Sequence, residues 1–234
     1  MVMLTVQGIT RRFGDTVALD SVSFSVRDGE ALGIIGPNGS GKTTLLETLC
    51  GLQPADGGGV LWRGSPLPPR RRKRDMFYVP DGIAPYTDHS TRNVLRFFAG
   101  AYRRGTRDLE ETIESLGLGP VLEQRVGTLS KGYRRRLLVA LGLITPHPLL
   151  VMDEPFDGFD LRQTREIVGL MRRVVAGGRS LLLAIHQLGD AERMCDRFVL
   201  LSAGRVHGEG SLRELRCRAG LAQGGLEEVF LALA

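Results

Sequence analysis

Three groups of residues in this chain have the types and spacing to act on a phosphate. The first is Gly36-Pro37-Asn38-Gly39-Ser40-Gly41-Lys42-Thr43-Thr44. Gly36, Gly41, Lys42 and Thr43 fall in the G-x-x-x-x-G-K-[ST] places of a phosphate-binding loop. Glycines there let backbone N–H groups approach an anion at a helix N-terminus. Lys42 supplies a point charge for the outer phosphates, and the Thr43 hydroxyl can ligate Mg²⁺. The bland alternative is a glycine-rich turn that matches by chance.

The second group is the acidic pair Asp153-Glu154, which closes the apolar run Leu149-Leu150-Val151-Met152. A carboxylate at the carboxyl end of a buried strand sits where open α/β sheets bind ligands. Asp153 can hold Mg²⁺, and Glu154 can polarise a water for attack on a terminal phosphate. Without the glycine loop the pair would read equally as a solvated acidic turn. His186 follows the next apolar strand, Leu181 to Ile185, and an imidazole at the end of a strand can donate to a phosphate or to the attacking water. A lone histidine is otherwise a packing or surface residue. The third group, Leu129-Ser130-Lys131-Gly132-Tyr133, precedes a strong helical pattern. Ser130 is either a plain N-cap or part of a second anion site built from free N–H groups and a helix dipole.

Elements of the right kind flank these groups. Ala31 to Ile35 predicts a buried strand, and Lys42 to Leu52 a helix with Leu45, Leu46, Leu49 and Leu52 on its apolar positions. Before them, Leu4, Val6 and Ile9, then Val22, Phe24 and Val26, alternate with polar residues as β-strands do. Val60 to Trp62 and Met76 to Val79 predict further strands around a proline- and arginine-rich connection. From Thr91 to Leu118 the period becomes helical, with Val94, Leu95, Phe97 and Phe98 as one apolar set and Leu109, Ile113 and Leu116 as another. A helix over Tyr133 to Ile144 stops before Pro146. Then come strand 149–152, helix 161–175, strand 180–185, helix 188–195 and strand 198–201. Such alternation predicts an α/β fold with a mainly parallel sheet, an antiparallel β region at the N-terminus and a helical insertion.

Composition bounds the rest. The chain has 234 residues, 42% hydrophobic and 24% charged, enough for one sizeable core. No apolar run nears the roughly 18 residues of a membrane helix, and no secretory signal opens the chain, so a cytoplasmic location is expected. The three cysteines lack metal-ligand spacing and read as reduced thiols. The net charge of +5 is densest at Arg70-Arg71-Arg72-Lys73-Arg74. No aromatic residues interleave that run, which reads as a solvated face or hairpin end before an anionic-lipid or partner contact, and no nucleic-acid partner is expected.

Taken together, the motifs resemble the nucleotide-binding domain of ATP-binding cassette (ABC) transporters across nearly the whole chain. Gly36 to Thr43 resembles the Walker A loop, Leu149 to Asp153 the Walker B strand, Glu154 the catalytic glutamate and His186 the switch histidine. Leu129 to Tyr133 resembles the family's LSGGQ signature, with Lys131 and Tyr133 in place of glycine and glutamine. Phe156 to Asp160 resembles the D-loop, and Phe13 the aromatic residue that stacks on adenine. Leu226-Glu227-Glu228-Val229-Phe230 is similar to the tail of ABC-2-type exporter ATPases. The family's usual Q-loop glutamine is replaced by Asp81, which could still bind the metal. The resemblance implies ATP and Mg²⁺ as cofactors, with Thr43, Asp153 and Asp81 on the metal. It implies Phe13, the loop 36–44, Ser130 and Gly132 on nucleotide, and Glu154 and His186 in catalysis. It also implies one ABC domain, with a core over about 1–84 and 137–234 and a helical subdomain over about 85–136. Two such subunits, identical or not, would pair head to tail and drive a transmembrane permease from the cytoplasmic face of the membrane. The competing readings are a soluble mechanochemical or nucleic-acid-acting ATPase and a regulatory ATP-binding module with little hydrolysis.

Overall fold

The computed structural model describes residues 1–234. Two long antiparallel strands open it, β1 (Val2–Phe13) and β2 (Thr16–Arg27). Their alternation turns Leu4, Val6 and Ile9, and Val22, Phe24 and Val26, into the core. β3 (Ala31–Ile35) is buried throughout and feeds α1 (Lys42–Cys50). β4 (Gly57–Trp62) pairs with β1, and the two-residue β5 (Ser65–Pro66) pairs with β4. After the single turn α2 (Pro69–Arg72) come β6 (Met76–Val79), α3 (Thr91–Ala101), α4 (Thr106–Ser115) and α5 (Lys131–Ile144). The chain then alternates through β7 (Leu149–Asp153), α6 (Leu161–Ala176), β8 (Ser180–Ile185), α7 (Leu188–Met194) and β9 (Arg197–Ser202). β10 (Arg205–Gly210), α8 (Leu212–Arg218) and α9 (Leu226–Leu233) complete it.

The strands form two sheets. One is antiparallel, in the order β2-β1-β4-β5. The other has the order β10-β9-β3-β8-β7-β6 and is parallel except at its β10 edge. Each inner strand of the parallel sheet is apolar on both faces. Leu32 and Ile34 of β3, Leu149 and Val151 of β7, and Leu182 and Ala184 of β8 pack with α1 and the antiparallel sheet. Ala31 and Ile35, Leu150 and Met152, and Leu181, Leu183 and Ile185 pack on the other side with α3 to α9. Burial on both faces is why these strands read as continuous apolar runs. The two sheets are also joined by charge. Arg197, buried at the start of β9, donates to Glu30 at 3.1 Å, to the Ser25 carbonyl at 3.2 Å and to Glu209 at 2.5 Å, and Glu209 accepts from the Ser25 N–H at 3.1 Å.

Several expectations are corrected. α1 ends at Cys50 because Gly51 takes a left-handed φ of 76° and caps the helix, which leaves Leu52 65% exposed. The stretch after Thr91 is helical as expected, in two helices that match the two apolar sets, but Phe97 points outward at 59% exposure. The basic run is not wholly a solvated face. Arg72 is buried and donates to the Thr48 carbonyl at 2.6 Å and, at longer range, to the Leu49 and Leu67 carbonyls, so it satisfies the end of α1. The three cysteines are free. No helix is long and apolar enough to cross a membrane.

Candidate functional site

Parallel strands carry their carboxyl ends to one edge, and the order β3-β8-β7 decides what meets there. The loop after β3 is Gly36–Gly41, His186 follows β8, and β7 ends at Asp153 with Glu154 directly after it. Loop and acidic pair thus flank the histidine strand. Alternation along β7 puts Asp153 on the same face as Leu149 and Val151, the face that α1 covers. The Thr43 hydroxyl accordingly lies 2.6 Å from Asp153 Oδ2 and donates to it. At Glu154 the backbone turns sharply: its φ is +47°, and its N–H still donates to the Ala184 carbonyl at 3.0 Å. That turn sends the Glu154 side chain away from Asp153's direction and towards His186, whose Nδ1 is 2.6 Å from Glu154 Oε2. The His186 backbone N–H approaches the same oxygen at 3.3 Å. A non-glycine residue at positive φ is costly, by about 1 kcal/mol or more, and such positions concentrate at functional sites.

The glycine loop is shaped by close approach. A methyl group on Gly36 would sit 2.1 Å from the Leu201 carbonyl oxygen, and one on Gly41, whose φ is +102°, 2.7 Å from that of Ala18. Lys42 is buried and folds back, its Nζ donating to the carbonyls of Gly36 at 2.8 Å and Pro37 at 3.2 Å and lying 3.9 Å from Glu154 Oε1. The N–H groups of Gly39, Gly41, Lys42, Thr43 and Thr44 have no acceptor within the chain. They face a cavity of about 480 Å³ that Asn38, Asp81, Asp153 and Glu154 also line. Burial pushes the Asp153 and Glu154 carboxyls above the usual range. The Thr43 hydrogen bond opposes this at Asp153, and His186 and Lys42 oppose it at Glu154.

Not every residue singled out from sequence meets at this cavity. Phe13 ends β1 with its ring 45% exposed and the Arg11 guanidinium 4.6 Å from the ring centre, and it does not line the cavity. Ser130 and Gly132 lie at the start of α5, also outside it. The Ser130 hydroxyl accepts from the Tyr133 N–H at 3.3 Å, the geometry of an ordinary cap. Lys131 pairs with Asp157 at 2.7 Å, and its stem lies against Gly158. Asp81 does line the cavity, but one of its oxygens is engaged by the Arg135 guanidinium.

Sequence reading missed several residues. Thr16, Val17 and Ala18 of β2 border the cavity, as do Ala203 and Gly204 of the turn between β9 and β10. Ala-Gly between strands is a turn signal, but nothing local says that Gly204 donates to the Ser40 carbonyl at 3.1 Å. Arg135 carried no signal beyond its place in a basic helix.

The family model described as "ABC transporter" matches residues 19–157, more than half the chain. The chain belongs to the ABC transporter family. The Nod factor export ATP-binding protein I of Rhizobium sp. (strain N33) is 36% identical over 216 residues, which cover 90% of this chain and 71% of that protein. The corresponding protein of Rhizobium meliloti is 35% identical over 218 residues, and the match covers 89% of this chain and 64% of that one. A solved ATP-binding subunit of an ABC transporter superposes with a TM-score of 0.90 at 30% identity, covering 99% of both chains. This ABC chain is therefore a nucleotide-binding, ATP-hydrolysing cassette with the expected α/β architecture. ABC ATP-binding subunits as a class dimerise and work with membrane-spanning domains.

Proposed function

We propose that this cassette is the ATPase subunit of a membrane exporter, bound to the cytoplasmic face through a permease and paired with a second cassette. The export reading is supported by the similarity to ATP-binding proteins of Nod factor export. The observation that carries the chemistry is the meeting of three strand ends: Thr43 on Asp153, Lys42 near Glu154, and Glu154 on His186.

On this reading the free N–H groups of Gly39, Gly41, Lys42, Thr43 and Thr44 and the Lys42 ammonium hold the β- and γ-phosphates. Asn38, Pro37 and Ser40 shape the same loop. The Thr43 and Asp153 oxygens fit Mg²⁺, which takes one or two protein oxygens and leaves its other places to phosphate and water. The ion, when bound, neutralises charge on the phosphate oxygens. Glu154 accepts a proton from the attacking water, and its contact with His186 orients the carboxylate. With Glu154 ionised, the imidazole proton lies on Nδ1, which leaves Nε2 to face solvent or phosphate. Phe13, 45% exposed with the Arg11 guanidinium over its ring, is the aromatic side chain that would meet adenine. Ser130 and Gly132, remote from their own cavity, serve the nucleotide of the partner chain, which supports a head-to-tail pair. ATP closes the pair and hydrolysis reopens it. Residues 85–136 then act as a helical subdomain on a core of 1–84 and 137–234 and form the permease-facing side together with Asp81.

Glu154→Gln tests the base. Steady-state turnover should fall by about 10²–10⁴-fold, while binding of a fluorescent ATP analogue stays intact and ATP traps a dimer on size exclusion. Near-normal turnover in that variant would remove Glu154 from its role.

A further inference from the structure

We infer that Arg135 is a positioning residue for the acidic strand end, and that Asp81 is its counter-charge. This use of Asp81 competes with its reading as a metal ligand.

Arg135 sits one turn into α5 and is only 5% exposed. Its guanidinium reaches three separate segments. Nη2 donates to Asp81 on the segment after β6, Nη1 to the Asp153 carbonyl at 3.4 Å, and Nε to the Asp157 carbonyl at 3.4 Å. The last two carbonyls bracket Glu154. A guanidinium is planar and rigid, so three acceptors on its fork are fixed relative to one another. Glu154 itself stands at a φ of +47°, a conformation that its surroundings must impose. The contacts that do so are the Glu154 N–H on Ala184, the Asp157 N–H on the Glu154 carbonyl at 3.2 Å, Lys42 and His186 at the carboxylate, and the grip of Arg135 on either side. Of these, Arg135 alone holds the backbone on both sides of the turn and ties it to the segment at Asp81.

The charge on residue 81 follows from the same geometry. A buried guanidinium without an anion is costly, and Asp81 is the one carboxylate in ion-pair contact with Arg135. A neutral glutamine at position 81 could offer a carbonyl but no charge. Aspartate at 81 and arginine at 135 therefore act as one unit, and a shift of the segment at Asp81 is passed directly to the turn that carries Glu154. The inference rests on Glu154 as the base, yet half of its test needs no turnover.

Arg135→Lys keeps the charge and loses the fork. In that variant kcat should drop about tenfold, since sub-ångström misplacement of a reacting group has effects of this order or larger, while KM for ATP stays within about twofold. In nucleotide-free protein, amide exchange across 154–159 should quicken by about tenfold. Asp81→Asn should lower the melting temperature, and Arg135→Gln combined with Asp81→Asn should melt higher than the sum of the single losses predicts, the sign of direct coupling. If Arg135→Lys does not fold, the neutral double variant carries the exchange and kcat readouts in its place. Wild-type kcat with wild-type exchange would overturn the inference. So would additive melting losses, or a fall in ATP affinity that matches the fall in kcat. A wild-type protein with no turnover would defeat the Glu154 assignment instead, and the exchange and melting data would still decide the role of Arg135.

Discussion

Two helices in this cassette begin with a glycine-containing loop and a lysine, and they are built oppositely. At α1, Gly41 precedes the helix with a left-handed φ of +102° and no side-chain cap, Lys42 is buried, and a row of N–H groups is left open to the cavity. At α5, the Ser130 hydroxyl takes the Tyr133 N–H, and the exposed Lys131 is held by Asp157. The neighbouring carboxylates differ in the same sense. Burial pushes Asp153 and Glu154 up, whereas the Lys131 hydrogen bond pulls Asp157 down. The first helix start is left open for a ligand within one chain. The second is satisfied by its own chain, and any ligand there must outcompete a cap and an ion pair.

The largest expected separation between them is in nucleotide affinity. Lys42→Ala should weaken ATP binding by about 10–100-fold, the worth of a charge-assisted hydrogen bond. Lys131→Ala should leave single-chain affinity within about twofold. Equal losses in equilibrium binding to monomeric protein would erase the distinction. Next comes stability. Gly41→Ala forces a side chain into the left-handed region and against the Ala18 carbonyl, and should cost about 1–3 kcal/mol in denaturant unfolding. Ser130→Ala removes only a cap and should cost about 1 kcal/mol. Should Ser130→Ala also cut turnover in the assembled pair without changing monomer affinity, the trans role of α5 gains direct support.

The smallest effect is in pH. A folded-state value raised above the ordinary one means that the folded chain holds more protons between the two values. Through that window the Asp153 and Glu154 contributions to stability decline as pH rises, and at Asp157 the contribution is instead lost as pH falls. In turnover, the acid limb should lie above the usual glutamate value. His186→Ala removes a group that lowers the Glu154 value and should move the limb to higher pH still. A limb that stays put would dissociate His186 from the acidity of Glu154.

What was legible in the sequence was local. The glycine loop is nine contiguous residues, and Asp153-Glu154 are adjacent on one strand, so their types and order alone told what they could do. Strand alternation in β1 and β2 was legible because one face is solvated. Leu52 and Phe97 misled because apolar residues at helical spacing look alike whether a helix continues or stops, or faces in or out. β10 (Arg205–Gly210), with its two glycines and few apolar residues, gave no periodic signal and forms as an edge through pairing with β9. Arg72 and Arg135 were invisible as structural cations: each sits in a basic run whose average is solvated, and each is drawn inside by carbonyls supplied from far along the chain. The contact between Glu154 and His186 depends on strand order, which residue spacing does not encode.

Arg197, held by Glu30 and Glu209, has a mechanical consequence. The rivet it forms between the two sheets stands beside β9, at the end of the parallel sheet opposite β6. Charge therefore resists shear between the layers at that end, adding to the apolar packing that holds them together elsewhere.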